Sequence, residues 1–320
     1  MKISHSQLVD FRIALIIPCY NEEVAILNVI TDFRKSLPNA EIYIIDNNSS
    51  DRTYEIASAA GVNVLHVLLK GKGNAVRRAF ADVDADIYLM TDGDSTYDAS
   101  SAPNLIDKLI NENLDMVVGC RVDKGESENF RFGHRFGNRI LTSSVQRIFG
   151  GQFTDMLSGF RVFSRRYVKS FPALATGFEI ETELTIHALE LRMPYGELPT
   201  AYGARIEGSE SKLSTYRDGF RILKTIYRIY MIERPLQFFT IFGIAFAGIS
   251  IFLALPLITE YLQTGLVPRL PTAILSVGLM LTGLMAVVCG LVLDTVTRGR
   301  HEVRHFAYLS IPSPHNVVKL

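Results

Sequence analysis

The sequence predicts an α/β domain with a mainly parallel sheet, followed by an interfacial helix and a two-helix transmembrane hairpin. Three observations predict it. Over the first two-thirds of the chain, short apolar runs alternate with helix-forming stretches, the pattern of βαβ units. Three of those runs stop at loops rich in Asp, Asn and Glu, and open α/β sheets bind ligands outside the carboxyl ends of their strands. In the last third, residues 236–258 and 272–293 carry no charge, and each stretch exceeds the ~20 residues needed to cross a bilayer.

Residues 13–17 read as a first buried strand, closed by Pro18, whose missing donor ends sheet pairing. Asn21 is the expected N-cap of a helix reaching about Lys35, with Glu22 and Glu23 in its first turn. Residues 41–45 form a second strand ending at Asp46, and Ser50 or Asp51 can cap the following helix. Residues 62–67 form a third strand. Gly71-Lys72-Gly73 opens a helix through Phe80, and residues 87–90 form a fourth strand, apolar enough to be buried on both faces. Residues 114–118 make a fifth, with Arg121 at its end.

The fourth strand stops at Thr91, and Asp92 and Asp94 follow with one glycine between them. Gly93 gives the backbone freedom to bend, so both acids can turn to one point. Hard divalent cations that carry substrate phosphates take oxygen ligands, often one or two carboxylates. A Mg²⁺ or Mn²⁺ site holding a diphosphate is therefore expected at Asp92 and Asp94; a plain polar loop is the alternative that an isolated Asp-x-Asp leaves open. Two other phosphate motifs are excluded. Gly71-Lys72-Gly73 lacks the Walker A spacing, and no Gly-x-Gly-x-x-Gly follows the first strand.

Four motifs in order carry a resemblance: Ile17-Pro18-Cys19-Tyr20-Asn21-Glu22-Glu23, Asp46-Asn47-Asn48-Ser49-Ser50-Asp51-Arg52-Thr53, Gly71-Lys72-Gly73-Asn74 and Thr91-Asp92-Gly93-Asp94-Ser95-Thr96-Tyr97. Together they resemble family 2 glycosyltransferases of GT-A fold, and within them polyprenyl-phosphate glycosyltransferases such as dolichyl-phosphate mannose synthase and GtrB-type enzymes. The resemblance implies that Pro18, Tyr20, Glu22 and Asp46 line a nucleotide pocket and that Lys72 joins the donor-binding set. It also implies that Asp92 and Asp94 hold the metal on the diphosphate, and that the sugar is transferred with inversion.

Arginine forks match phosphate geometry. Arg121, Arg131, His134, Arg135 and Arg139 form a cationic stretch, in which the resemblance places Arg121 and Arg135 on a lipid phosphate. Arg131 and Arg139 read as a solvated basic helix face rather than as phosphate ligands. Thr154-Asp155-Met156-Leu157-Ser158-Gly159-Phe160-Arg161 is similar to the family segment that closes the sugar pocket. Glu179, Glu181 and Glu183 share a predicted helix beginning near Phe178, where residues two apart face different ways, so one or two of them can reach the site; Glu181 is the candidate for sugar hydroxyls. Arg205 and Lys212 lie in a Gly/Ser-rich loop that a diphosphate can order by charge-assisted bonds.

Tyr216, Phe220, Leu223, Tyr227 and Tyr230 repeat with helical period beside Arg217, Arg221, Lys224 and Arg228, as in a helix lying among lipid headgroups. Basic residues before the first span and after the second put both chain ends and the catalytic domain in the cytoplasm. The expected domains are a catalytic part over 1–213, an interfacial helix over 214–234, a hairpin over 235–296 and a cytoplasmic tail over 297–320. Gly243 and Ala247 can pack helices or a second protomer. Thirty-three basic residues balance 33 acidic ones, so no global field draws nucleic acid. Cys19, Cys120 and Cys289 are far apart and fit a reducing compartment. The first apolar run is too short for a signal peptide.

The expectation is transfer of a sugar from a nucleotide diphosphate, UDP-hexose or UDP-N-acetylhexosamine before GDP-mannose, to polyprenyl phosphate at the inner or plasma membrane. Processive polysaccharide synthases use a Gln-x-x-Arg-Trp motif, and this chain has no tryptophan. A catalytically inactive membrane adaptor would have no use for the charge constellation.

Overall fold

Seven strands form where the backbone can bury both faces or protect an edge. They are β1 (Ile13–Cys19), β2 (Glu41–Asp46), β3 (Asn63–His66), β4 (Ile87–Met90), β5 (Met116–Asp123), β6 (Arg161–Ser164) and β7 (Tyr195–Tyr202). The computed structural model describes residues 11–123, 142–175, 177, 179–203, 224 and 227–313. The sheet order is β3-β2-β1-β4-β6-β5-β7. β1, β2, β3 and β4 run parallel, as do β5 and β7, while β6 is antiparallel to both its neighbours. Two strands escape the sequence reading. β6 is four residues long and opens on an arginine, and β7 contains Glu197 and Pro199, which an edge strand tolerates. β5 runs on to Asp123, so Arg121 lies inside the strand rather than at its end. Pro18 also behaves differently from expectation. Pairing with β4 stops at Ile16, but pairing with β2 continues through Pro18 to Cys19.

The helices are α1 (Ile26–Ser36), α2 (Thr53–Ala59), α3 (Lys72–Asp82), α4 (Ala102–Asn111), α5 (142–149), α6 (Arg165–Ser170), α7 (Ile180–Glu190), α8 (227–233), α9 (Pro235–Thr264) and α10 (Leu270–Leu309). Ile26, Val29, Ile30 and Phe33 of α1 sit at helical spacing, as do Leu105, Ile106, Leu109 and Ile110 of α4. Both stripes pack on Leu15, Ile17, Ile44, Leu89 and Val162 of the sheet. Each such fully buried Leu, Ile or Phe contributes about 1.5–3 kcal/mol. Alternation sends Tyr88 and Phe163 to the opposite face, where they meet Phe80, Tyr167 and Phe171 in edge and stacked contacts.

The chain divides into two compact units, Met1–Ile222 with Val303–Leu320, and Leu223–Glu302. The second unit holds two helices long and apolar enough to cross a membrane. Beyond Pro235 and Phe238 at the start of α9, their buried positions recur every seven residues: Gly243, Ser250 and Leu257 on α9, and Ser276, Gly283, Gly290 and Thr297 on α10. A strict seven-residue repeat keeps two helices in register along a left-handed seam. A Cβ on Gly283 would stand 2.9 Å from the Gly243 carbonyl and 3.5 Å from the Ala247 nitrogen, so Gly243 and Ala247 pack helices within the hairpin. Large apolar side chains such as Ile244, Phe252, Leu262 and Leu284 remain exposed, a surface suited to hydrocarbon rather than water. Of the expected interfacial helix, Lys224, Tyr227, Arg228 and Tyr230 are described, while Tyr216, Arg217, Phe220, Arg221 and Leu223 lie outside the described residues; the Tyr227 and Tyr230 rings meet Phe238 edge-on.

Expectation placed a tail from residue 297, but α10 continues to Leu309 and its last turns belong to the first unit. There the Tyr308 hydroxyl donates to Asp115 at 2.8 Å, and Arg304 pairs with Glu190 at 2.7 Å. Asp115 is fully buried and also accepts from Ser164 at 2.6 Å and from Arg166 through both Nε and Nη2.

Candidate active site

Strand order reverses at β1: β2 and β3 lie to one side and β4 to the other. Such a reversal opens a crevice at the carboxyl ends of the strands, and the loops after β1, β2 and β4 all emerge there. The first two are laced together. Asn21 adopts a left-handed backbone (φ 54°) and its Oδ1 accepts from the Ser50 nitrogen at 2.8 Å. The Glu22 nitrogen donates to Thr53 Oγ1 at 2.8 Å and the Glu23 nitrogen to Asp51 Oδ2 at 3.0 Å. These cross-loop bonds consume the donors that an N-cap would have served, so α1 begins at Ile26 and Asn21 does not cap it. Asp51, the expected cap of α2, accepts from the nitrogen and hydroxyl of Thr53.

Tyr20 stands at the crevice with the Lys70 ammonium 5.0 Å over its ring and 3.2 Å from its hydroxyl. Asp46 is buried, and its Oδ2 lies 2.7 Å from His66 Nδ1 at the end of β3. Asn47 Oδ1 accepts from the Gly71 nitrogen, and its amide donates to the Leu69 carbonyl at 2.7 Å. Gly71 takes φ 124°, open only to glycine, and turns the chain directly into α3. Pro18 is buried at the end of β1.

Lys72, in the first turn of α3, reaches two carboxylates. Its Nζ is 2.5 Å from Asp92 Oδ1 and 2.5 Å from Glu181 Oε1, and the three side chains are 11, 29 and 5% exposed. Burial works against the ammonium, but Asp92 and Glu181 outweigh it and hold its pKa above the ordinary value. Of the three glutamates near the start of α7, Glu181 alone makes this contact, while Glu183 accepts from the Leu174 and Ala175 nitrogens. Asp94 is buried and its Oδ1 accepts from the nitrogen and hydroxyl of Thr96. Burial and then Asp94 push the Tyr202 phenol up, against the smaller opposing effects of Thr96 and Arg121.

Gly93 is needed for space rather than for torsion. Its φ is not positive, but a Cβ there would stand 2.7 Å from Cys19 Sγ. The turn's left-handed residue is Ser95, at φ 60°. Gly159 is tighter still: a Cβ would lie 2.7 Å from Asp92 Oδ2 and 2.9 Å from Oδ1. The 154–161 segment is thereby laid directly on the Asp92 carboxylate.

That segment is heavily pinned. The Gly159 nitrogen donates to the Tyr97 hydroxyl at 2.8 Å, and the Ser158 hydroxyl to the Gly119 carbonyl at 2.6 Å. Arg161 is fully buried; its guanidinium donates to the carbonyls of Met156 and Ser158 and to Thr185 of α7. Asp155 takes a two-pronged bond from Arg121, Nε at 2.7 Å and Nη2 at 2.8 Å. Burial opposes both charges, yet the pair holds the Arg121 pKa up and the Asp155 pKa down. The Arg121 guanidinium also lies 5.5 Å over the Tyr202 ring. Burial pushes the neighbouring Cys120 thiol up to about 12, which leaves it unreactive.

The structure thus gathers Lys72, Asp92 and Glu181 in direct contact, brings Asp94 and Arg121 to Tyr202, and sets Tyr20 and Asp46 at the ends of β1 and β2. Arg131, His134, Arg135, Arg139, Arg205 and Lys212 lie outside the described residues. Asp155, His66 and Tyr202 belong to the site but were not singled out as site residues from sequence; Asp155 stood inside a recognised segment, whereas His66 and Tyr202 lie at strand ends with no local motif. The carboxylate oxygens of Asp92 and Asp94 are the donor type that a hard divalent cation takes.

Comparison with known proteins agrees with this geometry. The model of the family described as "Glycosyl transferase family 2" matches residues 14–171. Glycosyltransferase AglJ of Haloferax volcanii is 33% identical over 285 residues, 89% of this chain and 93% of its own length. A dolichyl-phosphate hexose transferase of the same organism is 32% identical over 224 residues, 69% of this chain and 95% of its own. Among solved structures, glucosyl-3-phosphoglycerate synthase from Mycobacterium tuberculosis, crystallised with Mn²⁺ and UDP-glucose, superposes with a TM-score of 0.55 at 22% identity, over 68% of this chain and 79% of that one. That likeness extends the fold, GT-A with a mostly parallel sheet, to this chain. The near full-length similarity to AglJ and the family match over the sheet lead to one conclusion: the chain belongs to glycosyl transferase family 2 and is a glycosyltransferase.

Proposed function

We propose that the chain transfers a sugar from a nucleotide diphosphate sugar, UDP-hexose or UDP-N-acetylhexosamine, to a polyprenyl phosphate with inversion at the anomeric carbon. The observation that carries the reading is the cluster at the end of β4, where Asp92, Lys72 and Glu181 meet beneath Gly159. Relatives named for dolichyl-phosphate acceptors and the apolar hairpin support a lipid-linked acceptor. Asp92 and Asp94 would hold Mg²⁺ or Mn²⁺, which when bound neutralises charge on the leaving diphosphate. Lys72 adds a second positive group on the same side. Glu181, beside it, is placed to accept from a sugar hydroxyl and so to orient the ring. Arg121, held flat by Asp155, presents its guanidinium near Tyr202 to position the acceptor phosphate for in-line attack. Arg135, Arg205 and Lys212 complete the phosphate contacts in this reading. A phosphate monoester is ionised near neutral pH, so its own oxygen attacks without a dedicated base. The bond from the Gly159 nitrogen to the buried Tyr97 hydroxyl fixes the 154–161 segment beside the cluster.

The basic residues flanking the hairpin support a catalytic unit and chain ends on the cytoplasmic side; reporter fusions at either end check that topology. Asp94→Ala is expected to lower transfer of labelled sugar to undecaprenyl phosphate by at least about a thousand-fold while the protein stays folded, in line with loss of a principal charge-stabilising group. Undiminished transfer by that variant overturns the metal assignment. A panel of UDP- and GDP-sugars offered to the purified protein identifies the donor.

A further inference from the structure

Lys72 joins three elements that are distant in sequence: the first turn of α3, the end of β4 and the first turn of α7. Its ammonium is 2.5 Å from an oxygen of Asp92 and 2.5 Å from an oxygen of Glu181. An ammonium that close takes up part of the acceptor capacity of Asp92 and neutralises the charge that a Mg²⁺ or Mn²⁺ ion would use there. Two cations cannot share that oxygen at such distances without strong mutual repulsion. Gly159 leaves room for the Asp92 carboxylate only because it has no side chain: a Cβ there would stand 2.7 and 2.9 Å from its two oxygens.

The lysine can yield without unfolding anything. Its backbone is fixed, since Gly71 is bonded to Asn47 and leads directly into α3. Four methylenes nevertheless let the charged end swing. Glu181 keeps one partner for it, and a diphosphate would supply another. Without a diphosphate, a metal ion at Asp92 would repel the ammonium and leave it Glu181 as its main partner. With one present, the ammonium moves onto phosphate oxygen and the carboxylate is released.

Resting on the metal site of the preceding section, we infer that Lys72 is a resident counter-cation that competes with the divalent ion for Asp92 and yields that carboxylate when the donor diphosphate arrives, making metal and nucleotide binding cooperative. Coupling of this kind is reciprocal: the factor by which nucleotide tightens metal equals the factor by which metal tightens nucleotide.

The test is Mn²⁺ binding to the purified full-length chain in detergent, followed by the paramagnetic signal of free Mn²⁺, without nucleotide and with saturating UDP or GDP, whichever the chain binds. The unmodified chain is expected to bind Mn²⁺ about ten-fold tighter with nucleotide than without. Lys72→Met is expected to bind Mn²⁺ alone about ten-fold tighter than the unmodified chain, and to lose the nucleotide effect. The double variant Lys72→Met/Glu181→Gln keeps the net charge of the cluster, so it should show the same gain, and it stands in if the single variant does not fold. Metal-only affinity and coupling unchanged in these variants overturn the inference alone, provided Asp94→Ala has lost Mn²⁺ binding. Retention of full Mn²⁺ binding by Asp94→Ala overturns the metal site and the inference together.

Discussion

The sheet-based unit and the apolar hairpin hold themselves together by opposite means. In the first, precision comes from buried charges: Arg121 on Asp155, Arg166 on Asp115, Lys72 between Asp92 and Glu181. In the second, the buried seam is Gly243, Gly283 and Gly290, with Ser250 and Ser276 exchanging bonds at 2.7 and 3.0 Å. The difference follows from the surroundings each segment is built for. A water-soluble unit gains stability by removing apolar area from water, and can then fix polar groups at chosen points inside. Helices in hydrocarbon gain nothing from hiding leucine, so close backbone approach and a few hydroxyl bonds must do the work. A single lost charge partner should therefore cost the first region far more than a lost hydroxyl costs the second.

The largest effect is expected at Asp115. Its replacement by Ala leaves Arg166, 16% exposed, without its carboxylate, and strands the Ser164 and Tyr308 hydroxyls. Breaking a buried pair in this way costs roughly 3–5 kcal/mol, and chemical denaturation of the purified protein measures it. A loss below about 1 kcal/mol, the range of an exposed pair, would remove the contrast between the two regions.

Next comes Gly159→Ala. The added methyl cannot fit against Asp92, and a displacement on the order of 1 Å at a catalytic group can lower turnover about a hundred-fold. Thermal stability should change little by comparison, so activity and melting curves measured together separate site damage from unfolding.

His187 sharpens the comparison through pH. It is buried in α7 with Nε2 3.0 Å from the Ser170 hydroxyl. Burial, helped by Arg304, holds its pKa down to about 3. The unfolded chain takes up a proton near pH 6.5 that the folded protein refuses, so this stability is present above that pH and lost as pH falls. Between pH 6.5 and 5 the loss is about 2 kcal/mol. Unfolding midpoints across that range should fall for the unmodified chain and flatten for His187→Gln; equal slopes would count against it.

The smallest effect is expected in the hairpin. Ser250→Ala removes a hydroxyl that bonds Ser276, worth about 0.6 kcal/mol in membrane helices. Helix-association measurements on the full chain in micelles should barely register it, while a loss as large as that at Asp115 would erase the distinction.

The residues alone determined much of this protein. Apolar runs at 13–17 and 87–90 are strands because continuous burial of Ile, Leu and Tyr on two faces is a local property that needs no partner to be read, and 41–45 shows the same signal behind an exposed Glu41. The charge-free stretches are equally plain, and they form helices long and apolar enough to cross a membrane. Asp92, Asp94, Tyr20 and Asp46 were legible because strand ends are where an open sheet leaves its crevice.

Only the tertiary structure decided the rest. Asn21 looked like a cap until the second loop claimed its neighbours' donors. β6 and β7 had too little apolar pattern to declare themselves and exist because β4 and β5 offer them edges. Glu181 was already the candidate among three glutamates, but its contact with Lys72, more than a hundred residues away, is visible only in the fold. Gly93 and Gly159 are glycines because of what stands 2.7 Å from their missing side chains. Period and propensity report what a residue does to its own backbone. A close approach between segments far apart in sequence is set by packing, and no local pattern encodes it.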